Sequence, residues 1–326
     1  MDTQTLNINK TEFRSIDKSE PEWLYNLRRE AWDIYQTTPL PDNVVHLWRY
    51  TKPKWFLMDD LEERMNVLPQ TFDFGENQMA PLSEEFSAFG CNHGDRIIYT
   101  QIAKELLGSG IIFKDLLSAA KDNENLVQKY LGKLINAGFG KFEALNLALW
   151  NSGMFLYIPK GLRLTKPIYL HRHPNGNYNV HRVLIVLDED SEATVIDDFA
   201  DRKNPDPFQV NSIAEIFVGE SSKLRYVNPQ NLASKTTSHI TTRAQVERQA
   251  QIYTIFASLG SEVSKNNIGN VLNGQGANSQ MLGVSFADDR QHFDHHTMHH
   301  HKAGDTYSNI DFKVAVSYTH LTLPTN

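Results

Sequence analysis

Two patterns of apolar and polar positions divide this chain near Asn151. Before it, apolar residues recur at helical spacing. Glu22 to Tyr35 places Trp23, Leu27, Ala31 and Ile34 on one face, and Pro39 and Pro41 stop the helix. Trp55 to Val67 reads as a short helix in an irregular region. Asp95 to Leu107 is amphipathic and reads as a helix, with Gly108 and Gly110 as its C-terminal punctuation. The helical pattern continues through Asp115–Ala120, Glu124–Gly132 and Lys133–Trp150, weakened by Gly138 and Gly140.

After Asn151 the apolar residues come in short runs: Phe155–Ile158, Val183–Leu187, Ala193–Ile196, Ile213–Val218, Lys223–Val227, Ile252–Ala257 and Ile268–Leu272. Compact polar turns separate them, at Asp188–Glu192, Gly219–Ser222, Gly260–Glu262 and Asn273–Ala277. Many short strands with such turns imply a sandwich, a barrel or a β-solenoid. The similar turn composition favours stacked coils. Polar residues inside strands, as in Asn278–Gln280 and Thr236–Thr242, point the same way, because solenoid coils stack like on like. Lys203–Phe208 reads as a projecting Pro-rich loop. The expected organisation is a helical region over residues 1–150, an all-β solenoid core over 151–315 and a separate tail over 316–326.

Composition narrows the function. Of the 326 residues 40% are hydrophobic and 22% charged, an ordinary globular balance. A net charge of -7 gives no electrostatic reason to expect nucleic acid. Cys91 is the only cysteine, so no disulfide forms within the chain and a reducing cytosol is the expected compartment. One copy alone cannot supply a multi-thiolate zinc site or a complete iron–sulfur cluster. Met1 to Lys10 has no apolar signal core, and no apolar run reaches the ~18 residues of a membrane span. Phosphate-loop, nucleophile-elbow and zinc-protease motifs are absent, and Gly274–Gln275–Gly276 is no dinucleotide fingerprint.

The densest chemistry lies in Gln291–His301, where His292, His295, His296, His299, His300 and His301 accompany Asp294. On a strand, Asp294, His296, Met298 and His300 share one face, and His295, Thr297, His299 and His301 the other. Asp294, His296 and His300 are therefore the candidate metal ligands, completed by a neighbouring coil. The competing use is a structural polar ladder or an interface. Cys91, beside His93, has no identifiable orienting partner and lies outside the predicted β region, so it reads as an inert small hydrophobe. His171 and His173, followed by Pro174 and Asn175–Gly176, read as a solvated loop.

One segment carries a family pattern. Ala144–Ile168 (ALNLALWNSGMFLYIPKGLRLTKPI) resembles the "ALN.A", "G.F.Y.PKG" and "PI" elements of the SufB/SufD family of iron–sulfur cluster assembly proteins. His181–Asp190 with Ala193–Ile196 resembles the family's early coil. Lys265–Gly274 resembles "R....V.L.G" with lysine for arginine, and Asp294–His301 resembles a late "D..T...H" coil. Trp48–Thr51, Gly110–Leu117 and Leu126–Leu134 are nearest the SufD branch, and the early cysteine motif of many SufB proteins is missing.

The resemblance implies a right-handed parallel β-helix after a helical region. It implies a cytoplasmic, non-enzymatic scaffold that pairs with a SufB-like subunit through the β-helix and works with the ATPase SufC. No resident cofactor is implied, and iron or cluster is handled at the level of the complex. In the family a charged segment, further β-helix and a C-terminal helical domain that docks SufC follow Phe312–Ala315. Val316–Asn326 matches none of these, so that domain and the distal iron-handling residues are expected to be absent. The tail reads as appended sequence, with a divergent native end as the alternative. Two other functions stay open. A β-helix carbohydrate-active enzyme would need paired carboxylates, for which Asp197, Asp198 and Asp201 are candidates. A direct metal-binding protein would use the His292–His301 cluster.

Overall fold

A computed structural model describes residue 13 and residues 19–58, 85–94, 96–174, 178–201 and 207–316. From Ser152 onward the chain alternates between two parallel sheets. One stacks β4 (Ser152–Ile158), β6 (Tyr178–Leu187), β8 (Phe208–Val218), β10 (Thr236–Val246), β12 (Val263–Leu272) and β14 (His292–His301). The other stacks β5 (Ile168–His173), β7 (Glu192–Asp201), β9 (Lys223–Leu232), β11 (Gln251–Ser258), β13 (Asn278–Ala287) and β15 (Tyr307–Val316). The result is a parallel β-solenoid of about five turns, the architecture that the similar turn composition favoured over a sandwich or barrel. Its repeat is visible in the register: Ser152 pairs with His181, His181 with Ser212, Ser212 with Ile240, Ile240 with Asn266, and Asn266 with His295.

Each passage from the first sheet to the second turns on a left-handed residue. These are Gly161, Asp190, Ser221, Gln249, Gly276 and Asp305, with φ between 55° and 76°. The turns are stitched together by backbone bonds from one coil to the next: Gly161 N to Glu189 O at 2.9 Å, Asp190 N to Glu220 O at 2.9 Å, and Ser221 N to Arg248 O at 2.9 Å. A left-handed residue other than glycine costs roughly 1–2 kcal/mol, and this stacking holds four of them between strands.

Apolar side chains such as Ile185, Ile216, Ile252, Ile268 and Met281 fill the lumen between the sheets. Over the outer face of the first sheet, α4 (Lys141–Leu149) packs on β6 and β8 and α1 (Glu22–Thr37) packs on α4; Leu24, Trp32, Leu145 and Leu149 are buried in this layer with Leu184 and Val186 of β6. The inward stripe of α1 is Leu24, Arg28, Ala31, Trp32 and Tyr35. Trp23, Leu27 and Ile34, three of the four residues expected on that face, pack only at its margin. Arg28 accounts for the shift: its guanidinium lies 3.9 Å over the Trp150 ring and donates to the Ala148 and Trp150 carbonyls. Lys141 of α4 caps the end of α1 by donating to Tyr35 O and Thr38 O. Between them lie α2 (Leu116–Asp122), whose N-cap Asp115 accepts from Ser118 N at 2.9 Å, and α3 (Glu124–Tyr130). The helix expected over Lys133–Trp150 is shortened to α4, behind a 3-10 turn at Ala137–Phe139.

Three further expectations change. Asp95–Leu107 is not a helix: Arg96–Ile102 forms strand β2, and a 3-10 turn follows at Lys104–Leu106. Its isoleucines, tyrosine and threonine suit a strand, and β1 (Ala88–His93) offers an edge for antiparallel pairing. Gly94, at φ 58°, turns the chain back. Cys91 therefore lies within the β structure, because β1 runs parallel beside β5. His171 and His173 lie on β5 itself and not in a loop. On the other sheet β3 (Ile112–Asp115) pairs antiparallel with β4. Pro53–Phe56 is a 3-10 turn, while residues 59–67 of the helix expected there, 203–206 of the Pro-rich loop and the tail from 317 lie outside the described residues.

Candidate functional site

Stacking places Asn211, His239, Lys265 and Asp294 in one row on the outer face of the first sheet. The segment from His46 to Leu57 crosses this row as a strap, shaped by two 3-10 turns. Trp48 lies flat on His239, ring centroids 5.6 Å apart and 1° between planes. Lys265 is fully buried, sits 4.9 Å over the Trp48 ring and pairs with Asp294 Oδ2 at 2.8 Å. Thr51 donates to the same Asp294 oxygen at 2.5 Å, and its hydroxyl meets His292 Nε2 at 3.0 Å. Trp55 and His46 press edge-on against His292 and His296, both at 5.6 Å. Burial holds His239, His292 and His296 below the ordinary imidazole range, with Glu143 opposing the shift at His239 and Asp294 at His292.

Strand alternation on β14 is as expected. Asp294, His296 and His300 share the outer face, but each has a different neighbourhood. Asp294 is engaged by Lys265 and Thr51, and His296 is packed on His46 with Nδ1 buried and without a hydrogen-bond partner. His300 is exposed. Among the described residues, no three His, Cys, Asp or Glu side chains converge on one metal-sized point. On the lumen side, His295 Nε2 meets Ser258 Oγ at 2.9 Å and His299 Nε2 meets Ser279 Oγ at 3.0 Å. Burial pushes both imidazoles down to about 4 and keeps them neutral.

Polar residues also run through the lumen, where composition gives no hint of them. Arg172 is ion-paired with Asp197, which accepts from Tyr226 OH at 2.7 Å. Gln230 bridges Asn228 and Asn266 at 2.8 and 2.9 Å. The adjacent Asp198 points outward to Tyr169 and His171. The two carboxylates thus face opposite sides of the sheet; the side chain of Asp201 lies outside the described residues.

A buried pair joins the helical region to the solenoid. Arg182 and Glu215 are both 0% exposed, 2.7 Å apart on the outer faces of β6 and β8. Glu215 accepts from the backbone amides of Gly132, Leu134 and Ile135 at 2.9, 2.8 and 3.1 Å. Arg182 donates to Ile135 O at 2.6 Å and to Asn146 Oδ1 at 3.1 Å. Asn146 Nδ2 donates to the carbonyls of His181 and Asn211, at 3.0 and 3.1 Å, and so ties α4 to two coils. This gives physical content to the ALNLA motif. In the segment after it, a Cβ at Gly153 would collide with the Arg182 carbonyl and the Leu116 side chain.

Comparison with known proteins agrees with this construction. Residues 1–170 match the model of the SufBD protein N-terminal region, and residues 170–319 that of the SUF system FeS cluster assembly SufBD core domain. Iron-sulfur cluster assembly SufBD family proteins of Staphylococcus haemolyticus and Staphylococcus aureus are each 28% identical over 305 residues, covering 90% of this chain. The chain matches 65% of the length of each of these relatives. No helix among the described residues is long and apolar enough to cross a membrane. With both halves of the chain matched, and the family's ALN and Gly motif residues at the join between helices and solenoid, the chain belongs to the SufBD family of iron–sulfur cluster assembly proteins.

Proposed function

We propose that the chain is a non-catalytic scaffold of the SufD type, acting in the cytoplasm with a SufB-like subunit and the ATPase SufC. The carrying observation is the family match over both regions, joined in the structure by the buried Arg182–Glu215 pair. Iron or cluster is cargo of the complex in this reading. Engagement of Asp294 by Lys265 and Thr51 favours a structural use of β14 over a metal carrier built on Asp294, His296 and His300. Opposite orientation of Asp197 and Asp198 speaks against a glycosidase, whose two carboxylates must flank one bond.

The test is reconstitution. Cluster formation on a SufB–SufC preparation, followed by visible absorption, should rise when the chain is added. The chain alone should hydrolyse no ATP. Equal cluster yield with and without it would remove the scaffold role.

A further inference from the structure

The first coil carries a second cluster of metal-binding side chains, on the outer face of the other sheet. Because β1 runs beside β5 and β5 beside β7, Cys91, His171 and Asp198 stand in one row, and His93 and His173 in the next. Parallel neighbours in such a row lie about 4.7–4.9 Å apart. His171 Nδ1 donates to Asp198 Oδ2 at 3.1 Å, and Tyr169 OH donates to the same oxygen at 2.5 Å. A carboxylate on one imidazole nitrogen fixes the tautomer and presents the other nitrogen as a lone pair, the arrangement that orients metal-ligating histidines. The His173 ring stands edge-on to His171 at 4.1 Å, and the His93 ring is 6.3 Å from His173. All five side chains are half-buried, which leaves an entry path.

We propose that Cys91, His171 and His173 bind a thiophilic divalent cation of the zinc class, with Asp198 as the residue that orients His171. One thiolate and two imidazoles leave a fourth tetrahedral position for water or His93. Sulfur and imidazole donors disfavour magnesium and calcium, which take oxygen. The three donor atoms do not converge on one point in this structure. Backbone register already sets their spacing, and rotation of the Cys91 and His173 side chains closes the site. Burial pushes the Cys91 thiol up to about 11, so binding releases its proton to solvent.

The single cysteine makes the test specific. Cobalt(II) titrated anaerobically into the full chain should bind with a thiolate-to-cobalt charge-transfer band, which only Cys91 can produce, and zinc should bleach it. Cys91→Ser should abolish the band, and His171→Asn and His173→Asn should each weaken binding at least tenfold. Asp198→Asn should weaken it about 10- to 100-fold while keeping the band at saturation. His296→Asn with His300→Asn should leave the band unchanged. Thermal melts of the metal-free variants separate lost binding from lost fold; if Cys91→Ser fails to fold, the His173→Asn titration decides. Cobalt binding without a sulfur band, or a band of equal affinity in the His171→Asn and His173→Asn variants, overturns the proposal.

Discussion

The two outer faces of the solenoid share a lumen and differ in what lies on them. On the seven-stranded sheet, outward polar residues are sockets for the N-terminal half. Glu215 receives three backbone amides, Asn146 reaches two coils, and Lys265 joins Asp294 beneath Trp48. On the eight-stranded sheet, Ile255 is only half-buried, and Leu282 and Phe286 are 36% and 54% exposed. An outward charge in a solenoid is therefore not solvated decoration where another element covers it. A covered face must satisfy every backbone amide it buries, and charged side chains do so with short bonds.

The largest expected effect comes from breaking the covered face at its centre. Glu215→Ala leaves the Arg182 charge without its carboxylate and three amides without their acceptor, and should cost about 3–5 kcal/mol in chemical denaturation. Ile255→Ser on the open face should stay near the ~0.5 kcal/mol typical of surface changes. Equal losses at the two positions would erase the distinction between the faces.

Acid is the next lever. His239 and His292 under the strap, and His295 and His299 in the lumen, have lowered folded-state pKa values, the last two down to about 4. In the unfolded chain imidazole takes its proton near ~6.5. The unfolded state thus binds more protons between these values, and stability should fall as pH drops from about 6.5 towards 4. His295→Gln should reduce the slope across this window, read from denaturation midpoints across the pH series. An unchanged slope would take His295 out of the account. A local effect is expected of Thr51→Val, which loosens the strap at its contact with Asp294 and should cost about 1 kcal/mol. Faster amide exchange confined to residues 46–57 would mark it.

Much of the fold is legible along the chain because strands and turns are local. The short apolar runs fall within strands, and the polar turns at Asp188–Glu192 and Gly219–Ser222 hold the left-handed corners Asp190 and Ser221. The segment around Arg96–Ile102 misled because an amphipathic pattern of that length fits either period, and the free edge of β1 decided for a strand. The faces of β14 were readable from alternation, whereas the partners of Asp294 were not. Thr51 lies 243 residues away in sequence, and Lys265 reaches Asp294 only through the register of β12 with β14. The same holds for Cys91, whose row with His171 and Asp198 exists only once β1, β5 and β7 are stacked.

The central claim, membership of a working SUF assembly, is tested most directly by co-expression with a SufB-like and a SufC subunit, followed by native mass spectrometry. The expected result is an assembly in which the chain is held with both partners. That chain running alone, folded by circular dichroism but bound to neither subunit, would contradict it.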